Sequence, residues 1–307
     1  MKLRILLTGA ALVLAAAAAA SAATGTPRVV ARIQTGNRPC SEVGGFGAVW
    51  VGNNGGGTLA RIDPKTNRVT GKVRVGLGPC GVAIGAHSVW VDGYTSSSVV
   101  RVDPKRMKLV KRIHLPDEIW DITFGAGSVW ATESTRGYVD RISARTNRVQ
   151  RRIHLPSGAL PRNLRFGDGA VWVGQQYGHS VFRIDAKTNR VSVVHVGNGP
   201  HATAVSSTAV WVSNSDDNTV SRLDPSTGVV VATIPVGAGP DNAAIADDGT
   251  VFVPNVAAGT VSRIDPATNE VIDTVDVGGT PFPLASAFGD IWVPLYKGRF
   301  VVRLHVG

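Results

Sequence analysis

Eight side chains, Trp120, Asp121, Arg162, Asn163, His201, Asp241, Asn242 and Phe282, are the residues of this sequence best suited to hold a ligand. Together they supply a guanidinium, carboxyls, amides, an imidazole and aromatic faces. That mix fits a polar small-molecule or peptide pocket better than a packed core, because buried polar groups need partners and water or a ligand must provide them. Arg162 could hold a carboxylate or phosphate through paired hydrogen bonds while Trp120 or Phe282 stacks on an apolar part. Catalytic patterns are missing: there is no H-E-x-x-H, no G-x-S-x-G and no P-loop. Gly76-Leu77-Gly78-Pro79-Cys80-Gly81 fits G-x-G-x-x-G, but it links two strand-like segments with no helix after it, so a nucleotide reading is dismissed. His114, His154 and His195 fall in the outermost segment of their units, where a solvated side chain is expected rather than a metal ligand.

What sets the eight apart is their register in a repeat. An aromatic flanked mostly by β-branched residues recurs at Trp50, Trp90, Trp130, Trp172, Trp211, Phe252 and Trp292, at spacings of 40, 40, 42, 39, 41 and 40. Arg61, Arg101, Arg141, Arg183, Arg222, Arg263 and Arg303 keep the same intervals, each usually followed by an aliphatic residue and Asp, as in Arg61-Ile62-Asp63-Pro64. Each unit divides into four short apolar segments separated by turn residues, the pattern of a four-stranded antiparallel sheet. In the second unit these are 80–84, 88–92, 98–103 and 109–115. Gly85-Ala86-His87 and Asp247-Asp248-Gly249 mark hairpins between the first and second segments. Between the third and fourth, Asp and Pro set a turn in which Asn67, Asn147, Asn189, Gly228 and Asn269 can take positive φ.

A sheet with apolar residues on both faces is unstable alone, and repetition around an axis buries each face against the next blade. Seven units of about 40 residues predict an all-β, seven-bladed β-propeller. Residues 29–36 match a fourth strand and residues 300–306 a third, so the N-terminal strand is expected to close the last blade.

In such a ring, strands one and three start on the same face. The loop entering strand one and the loop between strands two and three therefore gather at one mouth of the central channel. Counting eleven residues back from each aromatic, with one extra in the sixth unit, reaches a proline in most units. The next residue is Cys40, Cys80, Trp120, Arg162, His201, Asp241 or Phe282, and Asp121, Asn163 and Asn242 follow three of these. Framework positions repeat and this ring does not. Loss of repeat identity beside a channel mouth is what a binding site produces. The seven arginines lie too far from the axis for an anion-binding ring; Arg61 and Asp63 share a strand face, which predicts guanidinium–carboxylate pairs between blades.

The repeat resembles the YVTN-type β-propeller family, on Trp50-Val51-Gly52-Asn53, Trp211-Val212-Ser213-Asn214 and Phe252-Val253-Pro254-Asn255, and the resemblance runs from about Val29 to the end. It implies the fold and leaves the function open, since such propellers are scaffolds, ligand binders and occasional enzymes. In the third unit, Trp130-Ala131-Thr132-Glu133 with Tyr138-Val139-Asp140-Arg141-Ile142 resembles a repeat of the streptogramin-lyase propellers. That second resemblance implies a metal-dependent lyase or hydrolase using a His and a Glu. The family's other units and its His context are not recognisable, so no catalytic residue is carried over.

Of the 307 residues 43% are hydrophobic and 18% charged, enough to bury a large core. Lys2 and Arg4 lead into an apolar run over 5–20 that ends at Ala20-Ser21-Ala22, a small-residue cleavage pattern. This predicts a signal peptide over 1–22, export to an extracytoplasmic space, and one propeller domain over 23–307 without an integral membrane segment after cleavage. The net charge is +10, and much of the excess comes from the repeating arginines. Nucleic acid has no meeting place outside the cell. Export lets a disulfide between Cys40 and Cys80 persist. They occupy the same position in adjacent blades, where sevenfold geometry puts them about 6 to 7 Å apart, at the upper edge of disulfide reach; the alternative is two buried thiols, with a zinc site behind both. The expected function is a monomeric, non-catalytic binding module for a small molecule, peptide or cell-envelope partner, ahead of the enzyme, with no cofactor named by the sequence.

Overall fold

The aromatic and the arginine of each unit become cross-strand neighbours, and that pairing sets the register of every blade. The computed structural model describes residues 25–175 and 177–307. These form seven four-stranded antiparallel sheets around a central channel. In blade two the strands are Val82–Gly85, Ser88–Gly93, Ser98–Asp103 and Lys108–His114, numbered one to four from the axis outward. Trp90 sits opposite Arg101, as Trp130 does opposite Arg141 and Trp292 opposite Arg303. The guanidiniums lie 5.0, 4.7 and 5.1 Å from the ring centroids, within cation–π range. The indoles of Trp50, Trp90, Trp130 and Trp292 are fully buried. Each donates its N–H to the carbonyl five residues earlier, at 2.9 to 3.1 Å, so burial leaves no orphaned donor.

The same arginines staple neighbouring blades. Arg101 donates to the Ala144 carbonyl at 2.9 Å and to Asn147 Oδ1 at 3.0 Å; Arg141 reaches Ala186 and Asn189 in the same way. Asn147 and Asn189 are the turn residues at φ 56 and 60. One side chain thus allows the turn and receives the staple. Among the described residues, the expected pairing of these arginines with residues of the Asp63 type is not formed. The Asp63 carboxylate accepts from the Lys65 amide at 2.8 Å, and Asp103 from Lys105 likewise. A short acidic side chain at the start of a turn finds its own backbone nearer than the next blade.

Arg28–Gln34 pairs antiparallel with Phe300–His305 and closes the seventh blade. The third and fourth strands of that blade come from opposite ends of the described residues rather than from one continuous turn. Arg263, which would staple to such a turn, donates instead to the Gly25 carbonyl at 2.9 Å and pairs with Asp248 at 2.7 Å. The exchange ties the ring shut at its seam. The expected signal peptide lies outside the described residues. Among those described, no helix is long and apolar enough to cross a membrane.

Candidate ligand-binding site at the channel mouth

The mouth is assembled by backbone bonds that the repeat supplies. The amides of Asn54, Tyr94, Ser134, Ser215, Val256 and Tyr296, in the loops after strand two, donate to carbonyls in the loops before strand one at 2.8 to 3.0 Å. The two loop sets therefore gather on one face. The first strands then leave their ladders at the ring positions. The register slips between Pro39 and Ser41, between Ile119 and Ile122, and between Pro161 and Leu164, while in blades two, six and seven the strand begins only at Val82, Ala244 and Ala285. A bulge re-aims the side chains it carries. Trp120, Arg162, His201 and Phe282 stay partly exposed, while Asp121, Asn163, Asp241 and Asn242 are buried.

All eight side chains border one cavity of about 440 Å³. Arg162 places its guanidinium 3.4 Å from the Trp120 ring centroid, and Tyr94 meets the same indole edge-on at 5.4 Å. One face of Trp120 is thus occupied by Arg162. Phe282 stacks on Tyr296 at 4.6 Å. Burial lowers the Arg162 pKa, against the opposing influence of Tyr94, Tyr177 and Asp241. Among the described residues Arg162 forms no ion pair; those at the mouth join Arg165 to Asp121 at 2.7 Å and His201 to Asp241 at 2.7 Å.

The two carboxylates behave differently. Burial raises the Asp121 carboxyl, and Arg165 with the Ile122 and Leu164 amides offsets only part of that rise. Burial also acts on Asp241, but His201, the Asn242 amide and the charge of Arg165 outweigh it and hold its pKa below the usual range. A fixed carboxylate against an imidazole and a stacked guanidinium can orient a ligand that carries both an anionic group and hydrogen-bond donors.

Cys40 and Cys80 join blades one and two at this mouth, their Cα atoms 4.9 Å apart in a disulfide. They are closer than sevenfold symmetry predicts. The carboxylate of Asp92 takes the Cys80 and Gly81 amides at 2.7 and 2.8 Å, so Cys80 is released from the ladder and can lean towards its partner.

Arg165, Tyr177, Ser215 and Asp216 also line the cavity, and sequence reasoning did not single them out. The last three sit in the loops after strand two, which were placed at the mouth without any residue being named. Arg165 stands where blades two and five have Ala83 and Ala204, a departure that the same register comparison could have caught.

The lyase resemblance can be tested on its donor set. Glu133 is buried against Arg152, 3.2 Å away, in a cluster with Asp140, and does not border the cavity. His201 is engaged with Asp241, and among the described residues no three His, Cys, Asp or Glu converge to hold a metal. These residues do not fit such an ion, and no step is derived through one.

Several solved structures share the fold. A streptogramin B lyase superposes with a TM-score of 0.78 at 16% identity, covering 88% of this chain and 94% of that one. The virginiamycin B lyase from Staphylococcus aureus gives 0.78 at 16% identity over 91% and 99%. Kuenenia stuttgartiensis hydrazine synthase gives 0.77 at 16% over 87% and 96%. At such identities the likeness speaks for the fold alone. No match is found among curated protein sequences. The sequence does match the YNCE-like β-propeller family over residues 15–288, and the chain belongs to that family.

Proposed function

We propose that this protein is an exported, non-catalytic propeller that captures a small molecule or peptide through an anionic group at the channel mouth. The observation that carries the reading is Arg162, desolvated, stacked on Trp120 and without an ion pair among the described residues. A guanidinium held over an indole keeps its position fixed, and a carboxylate or phosphate can satisfy its free edge with two parallel bonds. His201 and Asp241 supply the polar remainder, and the Phe282–Tyr296 stack offers an apolar wall. Export is supported by the basic start, apolar run and Ala20-Ser21-Ala22 pattern. A thermal-shift screen of carboxylates, phosphates and cell-wall fragments tests the reading, because a ligand that binds only the native state raises Tm. The proposal expects anionic hits whose effect disappears in Arg162→Ala. Hits unaffected by that change would overturn it.

A further inference from the structure

Beneath the mouth, the channel is divided. Arg165 borders both the upper cavity and a second one of about 570 Å³ that opens towards the opposite face. Its guanidinium bridges Asp121 and the Leu164 carbonyl, each at 2.7 Å, and so forms the floor of one chamber and the ceiling of the other. The lower chamber is lined by aliphatic and phenyl side chains of the first strands, among them Val82, Ile84, Ile122, Phe124 and Phe166, with Leu284 just before one of them, interleaved with polar backbone that makes up more of the lining surface than the apolar side chains do. Glu42 also lines it. It pairs across to Val51 as Val82 does to Val91 and Ile122 to Ala131, so a carboxyl occupies a register that other blades give to aliphatic core residues.

Glu42 is 5% exposed; the Ala285 amide is the one hydrogen-bond donor that acts on its carboxyl, and among the described residues no side chain closes a hydrogen bond to it. The other carboxyls buried around the channel are provided for: Asp92 by two amides, Asp121 by Arg165 and Asp241 by His201. A buried carboxyl that no side chain meets is costly to keep unless something arrives to meet it.

We infer that the lower chamber is a second ligand site, for a small organic ammonium ion with an apolar body, and that Glu42 is its counter-ion. An ammonium brings the hydrogen-bonding cation that no neighbouring side chain gives the carboxyl, and an alkyl or aryl body suits the aliphatic and phenyl side chains of the lining. An anionic guest meets Glu42 with like charge, and Arg165 is already engaged by Asp121. Burial raises the Glu42 pKa well above the usual carboxylate range, against the Ala285 amide and the charge of Arg165. A bound cation reverses that shift.

The probe is 2-phenylethylammonium, titrated calorimetrically and by Tm against the parent, Glu42→Gln, Glu42→Leu and Arg162→Ala, with phenylacetate and 2-phenylethanol as the anionic and neutral comparators. The parent should bind the amine best of the three. Glu42→Gln, nearly isosteric and checked for fold by circular dichroism, should bind it about tenfold or more weakly, since the ion pair is lost. Glu42→Leu should melt no lower than the parent yet give no amine shift. Arg162→Ala should bind the amine like the parent, which separates this site from the mouth proposed above. Equal amine binding by parent and Glu42→Gln, equal binding of phenylacetate, no binding by the parent, or loss of amine binding in Arg162→Ala would each overturn the assignment.

Discussion

Two arginines show how differently the same residue type is used in this propeller. Arg101 belongs to the repeat: it lies over Trp90, binds a carbonyl and an asparagine of the next blade, and has a counterpart with the same bonds in Arg141. Arg162 has no such counterpart at the ring position of another blade. It too covers an indole, that of Trp120, but it faces a cavity and forms no ion pair among the described residues. The framework arginine has its hydrogen bonds satisfied within the fold. The mouth arginine leaves that capacity directed outward. Repetition thus marks what holds the ring together, and departure from repetition marks what the ring presents.

The largest effect that could break this comparison is at the seam. Deleting residues 23–36 removes Arg28–Gln34 and uncovers the edge of Phe300–His305, so aggregation or loss of a cooperative melt is expected. A truncated protein that melts like its parent would show that the seventh blade does not need its N-terminal strand.

A paired replacement is next. Trp90 is fully buried, and Trp90→Ala should lower the unfolding free energy in urea by about 3–5 kcal/mol. Trp120, partly exposed at the mouth, should lose about 1 kcal/mol or less on the same change. Similar losses at both positions would erase the distinction between framework and mouth.

The disulfide closes a loop of 40 residues between two blades, and its reduction should cost up to about 4 kcal/mol of stability on the chain-entropy account. Intact mass of the unreduced protein checks the bond, a chain lacking two thiol hydrogens being expected, and a chain starting at Ala23 is the outcome the proposed export predicts. Quantitative labelling of two free thiols after denaturation without reductant would contradict the bond.

A smaller effect concerns Glu133. Burial, with Asp140 beside it, raises its pKa from 4.5 to about 7, although Arg152 acts the other way. A carboxyl whose folded pKa is raised contributes stability that is fully present below its unfolded pKa and is lost as pH rises through the folded value. Unfolding free energy should therefore fall between about pH 4.5 and pH 7 on account of this group, and Glu133→Gln should flatten that slope. An unchanged slope in the variant would assign the effect elsewhere.

The fold was legible because its markers are large and in phase. Trp50 through Trp292 and Arg61 through Arg303 fix blade number and strand register, and φ of 56 to 60 at Asn67, Asn147, Asn189 and Asn269 is what those turn positions required. The ring at the mouth could be located by counting back from the aromatics, since the bulges fall where repetition stops. Its internal pairings could not. Whether Arg162 lies on Trp120, or whether His201 meets Asp241 from the adjacent blade, depends on side chains converging across blades, and periodicity along one chain does not encode that. Glu42 was passed over because attention to loops misses a carboxyl that stands inside a strand, in a position blades two and three fill with Val82 and Ile122.

The sharpest measurement sets the two arginines against each other. Once the screen supplies an anionic ligand, its Kd is measured by calorimetry for the parent, Arg162→Ala and Arg101→Ala, each alongside a thermal melt. Arg162→Ala should keep its Tm and lose about a hundredfold or more in affinity, as expected for removing a paired guanidinium contact. Arg101→Ala should melt lower and bind with the parent's Kd. An Arg162→Ala protein that binds as the parent does, beside an Arg101→Ala protein that does not, would contradict the assignment of the mouth as the ligand site.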